Sequence, residues 1–484
     1  MILSRAAGAV LIAAGLCSCA VGPDYKPPPT PEGATAPIVP ADAAAETTAD
    51  PPDAWWRLYD DPAFDALIRE AFANNDDIKT AEANLAAARA VLEGARAGLF
   101  PQTNINLAGV YGRDPTTDEI LEIGGHKPST TWIFDDLLDV SYELDLFGHV
   151  QRSIESAGAD AQAAAAQRDA VKVTVAAETA RAYAQLCTVG EQIAVAHRSL
   201  DLVSREAEIT DHRRMAGAGS EFELVRAQGV VEQTRSTIPP LEGQRRAALF
   251  ELTAILGRTP ANLPPGVDGC VRPPRLTALL PVGDGAALLK RRPDIRAADR
   301  HLATAVAEIG VATADLYPRI TLSGFFGGVS SSIDQLGTAK ALSWGVGPAM
   351  NWTFPVQAGP RAKVRQSKAE AVAALSDFDK AVLQALKETA QALAAYTSEL
   401  DHHAALVAFQ NKARRTYDLA HGQFEAGAIA SLDLLTSEQT LVAADEAVAA
   451  SDTAIVQDQI AVFKALGGGW RDAPPADPAA QPPS

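Results

Sequence analysis

The sequence predicts an α+β membrane protein in which one long unit, written twice, joins antiparallel helical hairpins to pairs of β-strands. Three observations predict it. The stretch from Asp77 to Pro101 returns as Asp294 to Pro318 at an offset of 217, and Ala216-Gly217-Ala218, Phe222-Glu223-Leu224 and Leu256-Gly257 return at an offset of 210. Self-similarity of this kind marks a repeated structural unit. No proline interrupts the 110 residues between Pro128 and Pro239 or the 113 between Pro360 and Pro474. Ahead of each proline-free run the hydrophobic period changes from 3.6 to 2, the mark of strands. A duplicated design of this kind does not naturally yield an active site built from one asymmetric set of side chains.

The elements follow in chain order. Arg5 and the apolar run Ala9 to Ala14 form a segment too short to span a bilayer but right for a signal sequence. Leu16-Cys17-Ser18-Cys19 then resembles the lipobox of bacterial lipoproteins, with cleavage between Ser18 and Cys19 and lipidation of Cys19. Cys17 is the rival acceptor, but Leu16 is too bulky for the cleavage position; a plain secretory signal with incidental cysteines is the other reading. Ala20 after the cysteine points to an outer-membrane address. Residues 1–18 are thus read as signal peptide, and 19–54, rich in Pro, Ala, Thr and acid from Lys26 onward, as an extended lipidated tether.

The first unit is placed at 55–256, a linker at 257–284, the second unit at 285–470 and a disordered, proline-rich tail at 471–484. Both proline-free runs are rich in strong helix formers. In the second, Val364, Ala371, Leu375, Phe378, Val382, Leu386, Thr389, Leu393, Tyr396 and Leu400 make a heptad-like stripe. Glycines puncture each run, Gly217 and Gly219 in the first and Gly422 and Gly427 in the second, and Ser220 and Ser431 are plausible N-caps beyond them. Each unit therefore holds a hairpin whose descending helix has roughly 60 residues, about 90 Å at 1.5 Å per residue. Pro239-Pro240 should kink or break the first returning helix.

The strands alternate. Ile105, Leu107, Gly109 and Tyr111 stand opposite in phase to Asn104, Asn106, Ala108 and Val110, and Leu138 to Leu146 alternates with acids and Ser141. The second copy repeats this with Ile320, Leu322 and Gly324, then Leu342, Trp344, Val346, Pro348, Met350 and Trp352. Strands of about ten residues, apolar on one face and polar on the other, suit a membrane β-barrel. Strand alternation taken alone equally fits an ordinary sheet over a core; the long coiled coil and the lipobox shift the balance. Four strands cannot close a barrel, and an open edge cannot sit in lipid, so at least two chains must contribute.

The chemistry of an enzyme is missing from the sequence. Eight histidines are scattered, and the one adjacent pair, His402-His403, points in directions about 100° apart on a helix. There is no phosphate loop, nucleophile elbow or dinucleotide fingerprint. A formal charge of -18 argues against nucleic acid as a partner. Cys187 and Cys270 remain as an even pair in an oxidising compartment and are expected to form a disulfide, two separate buried thiols being the alternative. No metal site and no cofactor are expected beyond the diacylglycerol and N-acyl chain on Cys19.

Specific motifs carry a family resemblance from end to end. They include Cys19-Ala20-Val21-Gly22-Pro23-Asp24-Tyr25, Trp55-Trp56 with Asp61-Pro62, Arg291 to Ala298 and Ile309 to Pro318. Over roughly residues 19–470 the chain resembles the outer membrane factors of tripartite export systems, TolC-like, and among them the NodT-type efflux lipoproteins. The resemblance implies a homotrimer, with four strands per chain closing a 12-stranded transmembrane β-barrel continuous with a 12-helix periplasmic α-barrel. It implies a passive exit channel for small molecules such as drugs, docked through its helical tips at Gly217, Gly219 and Gly427 to a periplasmic adaptor and an inner-membrane pump. Metal-ion efflux and type I protein secretion use the same scaffold, and a non-channel envelope lipoprotein is a further reading. In the family, acids six and nine positions beyond the second tip glycine line the closed end. Here Asp433 stands at the sixth and Thr436 at the ninth, so Asp433 is the gate candidate, with Glu223 its first-copy counterpart.

Overall fold

A computed structural model describes residues 20–36, 45–113, 123, 130–267, 269–276 and 278–471. The signal segment with Ser18 and Cys19, and the tail from 472 on, lie outside the described residues. In order, the elements are β1 (Glu46–Thr47), α1 (Pro62–Asn74), α2 (Asp76–Ala97), β2 (Gln102–Gly112), β3 (Thr131–Leu144), α3 (His149–Met215), α4 (Glu221–Ser236), α5 (Ile238–Ile255), β4 (Leu280–Pro281), α6 (Gly285–Arg291), α7 (Pro293–Ala314), β5 (Arg319–Ser330), β6 (Leu342–Asn351), α8 (Ala358–Glu425) and α9 (Ser431–Ala465).

Local chemistry explains most boundaries. Asp61 caps α1 by accepting from the N–H groups of Ala63 and Phe64 at 2.9 and 3.3 Å, with Pro62 at the start where no N–H is needed. Asp284 does the same for α6 through Ala287 at 2.7 Å. The first returning helix breaks at Thr237, and Pro239 lies in the first turn of α5, as a proline pair dictates. The descending helices α3 and α8 are longer than expected, 67 and 68 residues, or about 100 Å each. Gly422 does not interrupt a helix, because α8 runs on to Glu425 before Gly427 ends it. Nor does Ser431 cap α9: Ala430 takes that position without a side-chain bond. The strand expected to begin near Leu138 starts at Thr131 and ends at Leu144, leaving Leu146 outside it.

The chain divides into two compact units. The first comprises Met1–Pro28, Asn84–Ala164 and Ala298–Phe378. Its centre is a four-stranded antiparallel sheet in the order β2-β3-β5-β6. Here also the segment after Cys19 is held down. Val21 N–H donates to the Phe147 carbonyl at 3.1 Å, and the buried guanidinium of Arg152 donates to Val21 O at 3.2 Å and to Asp24 at 2.7 Å. The Tyr25 hydroxyl donates to Asp299, while the Arg300 guanidinium lies 5.1 Å from the Tyr25 ring centre. Burial, and then the Asp299 carboxylate, push the Tyr25 phenol above its ordinary pKa.

The second unit comprises Pro29–Ala83, Ala165–Ala297 and Asp379–Ser484. Its core gathers Trp55, Trp56, Tyr59 and Phe64 against Phe463 and Tyr183, with the Trp55 and Phe463 rings stacked at 4.7 Å. The heptad-like stripe is the buried face of α8 here, with Val382, Thr389 and Tyr396 no more than 5% exposed. Residues 45–54 are not loose: β1 pairs in parallel with β4 in the linker. Cys187 and Cys270 form a disulfide that ties the linker to α3. Arg292 is buried, donating to the Ala465 carbonyl at 2.8 Å, to Asp294 at 2.6 Å and to Glu388 at 2.9 Å. Arg292 of the Arg291-Arg292-Pro293-Asp294 motif thus satisfies one of the orphan carbonyls at the end of α9, that of Ala465.

Candidate functional site

Two regions have features that a folded core does not require. The first is the sheet. Its register sets Ile105, Leu107 and Tyr111 beside Trp132, Phe134 and Leu138, then Phe326 and Leu322, then Trp344 and Val346, all on one face. That face is uncovered among the described residues: Leu107 is 75% exposed and Val346 71%. The other face has Asn104, Asn106, Asp135, Asp139, Glu143, Thr321 and Ser323. Phe325 and Val329 break the polar pattern, and Asp136 falls in the apolar phase, where its Oδ1 accepts from the Gly328 N–H at 2.6 Å. Aromatic pairs mark both ends of the strands, Tyr111 with Trp132 at 5.4 Å at one, Phe147 with Tyr317 at 4.5 Å and Trp352 with Phe354 at 4.7 Å at the other. Aromatic girdles of this kind flank the apolar band of membrane barrels. Among the described residues β2 and β6 are unpaired edges.

The second region is the pair of turns in the second unit. At the end of α3, Gly217 adopts φ +75° and donates to the Arg214 carbonyl at 2.9 Å, while Ala218 donates to Arg213 O at 2.8 Å. At the end of α8, Gly427 adopts φ +70° and donates to Phe424 O at 2.9 Å, while Ala428 donates to Gln423 O at 2.8 Å. Both are left-handed helix ends for which glycine is the natural residue. Gly219 serves differently, because a Cβ there would come within 3.2 Å of the Arg214 amide. The returning helices open with the same exposed apolar position, Phe222 at 74% and Leu432 at 47%.

The acids at these turns are not equivalent. Glu223 Oε2 accepts from the Ser220 N–H at 2.7 Å while Ser220 Oγ accepts from the Glu223 N–H at 3.2 Å, a complete capping box. Asp433 is exposed in the first turn of α9, its N–H donating to Ala430 O at 3.1 Å. The two gate candidates therefore occupy matching places with different local duties.

Among the described residues, no cluster of His, Cys, Asp and Glu could hold a metal ion, and no helix is long and apolar enough to cross a membrane. The sequence reading missed the buried charges: Arg152, Arg292, Glu206 and Glu438 all lie below 9% exposure. Their helices carry little local signal for this, since each has partners from distant parts of the chain, Glu388 for Arg292 at a separation of 96 and Tyr417 for Glu206 at 211.

Comparison with known proteins agrees with the geometry. The outer membrane efflux protein family matches residues 67–258 and again 286–468. Outer membrane protein OprJ of Pseudomonas aeruginosa is 31% identical over 474 residues, covering 96% of this chain and 95% of its own. Nodulation protein T of Rhizobium leguminosarum bv. viciae is 29% identical over 466 residues, covering 94% and 92%. The solved outer-membrane channel OprN superposes with a TM-score of 0.87 at 32% identity, covering 93% of this chain and 100% of that one. With two matched copies, an uncovered apolar sheet face and hairpins of this length, the chain belongs to the outer membrane efflux protein family, as a non-enzymatic outer-membrane channel component.

Proposed function

We propose that the chain assembles as a homotrimer whose twelve strands close one transmembrane barrel and whose helices continue it as a periplasmic tube, the exit duct of a tripartite efflux system. The observation that carries this is the four-stranded sheet, which among the described residues has an uncovered apolar face and two unpaired edges. Unpaired backbone groups cannot remain in hydrocarbon. Because the strands alternate in direction, β6 of one copy meets β2 of the next antiparallel, so any number of copies closes without a mismatch. Eleven residues of β2 span about 36 Å at 3.3 Å per residue, or about 28 Å when tilted by about 40°. That matches the apolar band of about 25 Å in such barrels.

Cys19 carries a diacylglycerol and an N-acyl chain as an auxiliary anchor in the outer membrane. Its location is favoured by the clamp on Val21, Asp24 and Tyr25 that follows it. The exposed Phe222 and Leu432 beside the Gly217 and Gly427 turns offer the periplasmic adaptor matched apolar contacts, repeated in each copy. Energy comes from an inner-membrane pump beyond that adaptor, and small molecules such as drugs are the cargo. Three Asp433 carboxylates around the axis form a cation-attracting ring at the mouth, while Glu223 is committed to its cap.

Native mass spectrometry of the detergent-solubilised protein should give three chains, and the same preparation should form discrete conductance steps in planar bilayers. A monomer, or a trimer without conductance, would overturn the reading.

A further inference from the structure

Behind the two turns, α3, α8 and α9 bury a group of acids that the channel reading does not use. Glu206 of α3 is 6% exposed and Glu438 of α9 is 0% exposed. Glu206 Oε1 accepts from the Tyr417 hydroxyl at 3.4 Å and lies 3.2 Å from His421 Nε2, both on α8. Glu206 Oε2 and both carboxyl oxygens of Glu438 are buried without a hydrogen-bond partner among the described residues. The cluster lies beside an apolar patch that includes Tyr417, Phe424, Leu434 and Leu441. The titratable groups that face it are Glu206 from α3 and Tyr417, Asp418, His421 and Glu425 from α8. None of them is an arginine or lysine.

We propose that Glu438, Glu206 and His421 form a proton-binding site that latches α3, α8 and α9 together behind the turns: a proton on Glu438 holds the three helices packed, and its loss loosens them. An ionised carboxylate without a partner is among the costliest groups to bury, whereas the neutral acid is tolerated. Burial, and then the neighbouring Glu206 charge, push Glu438 up to about 8. Burial raises Glu206 as well, against the opposing pull of His421 and Tyr417. Once loosened and hydrated, Glu438 returns to the ordinary carboxylate range near 4.3. The packed form then binds the extra proton between about pH 4.3 and 8, so its advantage is complete in acid and falls up to about tenfold per unit as pH rises through that window.

Deuterium exchange read by mass spectrometry tests this in the full chain, after correction for the intrinsic pH dependence of exchange. Peptides from the last three turns of α3, the end of α8 and the start of α9 should lose protection progressively between about pH 5 and 8 in wild type. Glu438→Gln should flatten that profile, and Glu206→Gln should move its midpoint to lower pH. A flat wild-type profile, or an unchanged slope in Glu438→Gln, overturns the latch. Should Glu438→Gln not fold, an unchanged midpoint in Glu206→Gln overturns it. The readout does not need a conducting channel, so it stands apart from the test of that function.

Discussion

Single residues decide how each returning helix begins, and the two copies differ at that point. Ser220 and Glu223 exchange hydrogen bonds, whereas the matching start of α9 has Ala430 in extended conformation, φ -77° and ψ 154°, with no side-chain acceptor for the first amides. Ser220→Ala should lower stability by about 1 kcal/mol, and Ala430→Ser should raise it by about the same or less. Urea midpoints of both variants measure this, and equal, unshifted midpoints would remove the capping box from the account. Asp433 is the other residue with a stated duty. Asp433→Ala should lower the cation preference of single channels, or alter their resting conductance, without changing the mass of the assembly. Unaltered selectivity and conductance would make Asp433 a helix-end charge that favours the N-terminal pole of α9 and nothing more.

Among the elements, the linker between the copies is where covalent chemistry enters. The Cys187–Cys270 bond spans a sequence separation of 83 residues, and β4 in the same linker pairs with β1. A loop of that size restricts the unfolded chain enough to stabilise the fold by about 4 kcal/mol in the chain-entropy view. The double variant Cys187→Ala/Cys270→Ala should therefore lose about that much in equilibrium unfolding, and reductant should shift wild type but not the variant. Identical behaviour with and without reductant would show that the linker is held by β1, β4 and packing alone. Along α3 small residues such as Ala163, Ala166, Ala176 and Ala180 lie at 0% exposure.

At the scale of the molecule, what a single chain leaves uncovered is as telling as what it buries. The apolar sheet face and the exposed apolar turn residues lie in separate units, and in the function proposed above lipid covers the first and a protein partner the second. A soluble monomer seldom tolerates apolar patches of that kind. The buried acids behind the turns add a third feature, one whose stability depends on pH rather than on a partner.

Much of this was legible in the sequence because it is local. Helix length follows from 110 uninterrupted residues of strong helix formers, the break at Thr237 from Pro239-Pro240, and the two faces of the sheet from alternation. Boundaries slipped where a neighbouring strand rather than the residue itself made the choice, as in the stretch Thr131 to Leu138, which pairs with β2. By itself, then, the sequence determined the element types, their duplication and which strand face is apolar, since periodicity and propensity act within a few residues. Only the tertiary structure decided that Arg152 and Arg292 are buried clamps, and that Glu206 meets Glu438 with no arginine or lysine among the described groups that face them. Those properties are set by contacts across some 100 to 230 positions of chain, and no local pattern encodes them.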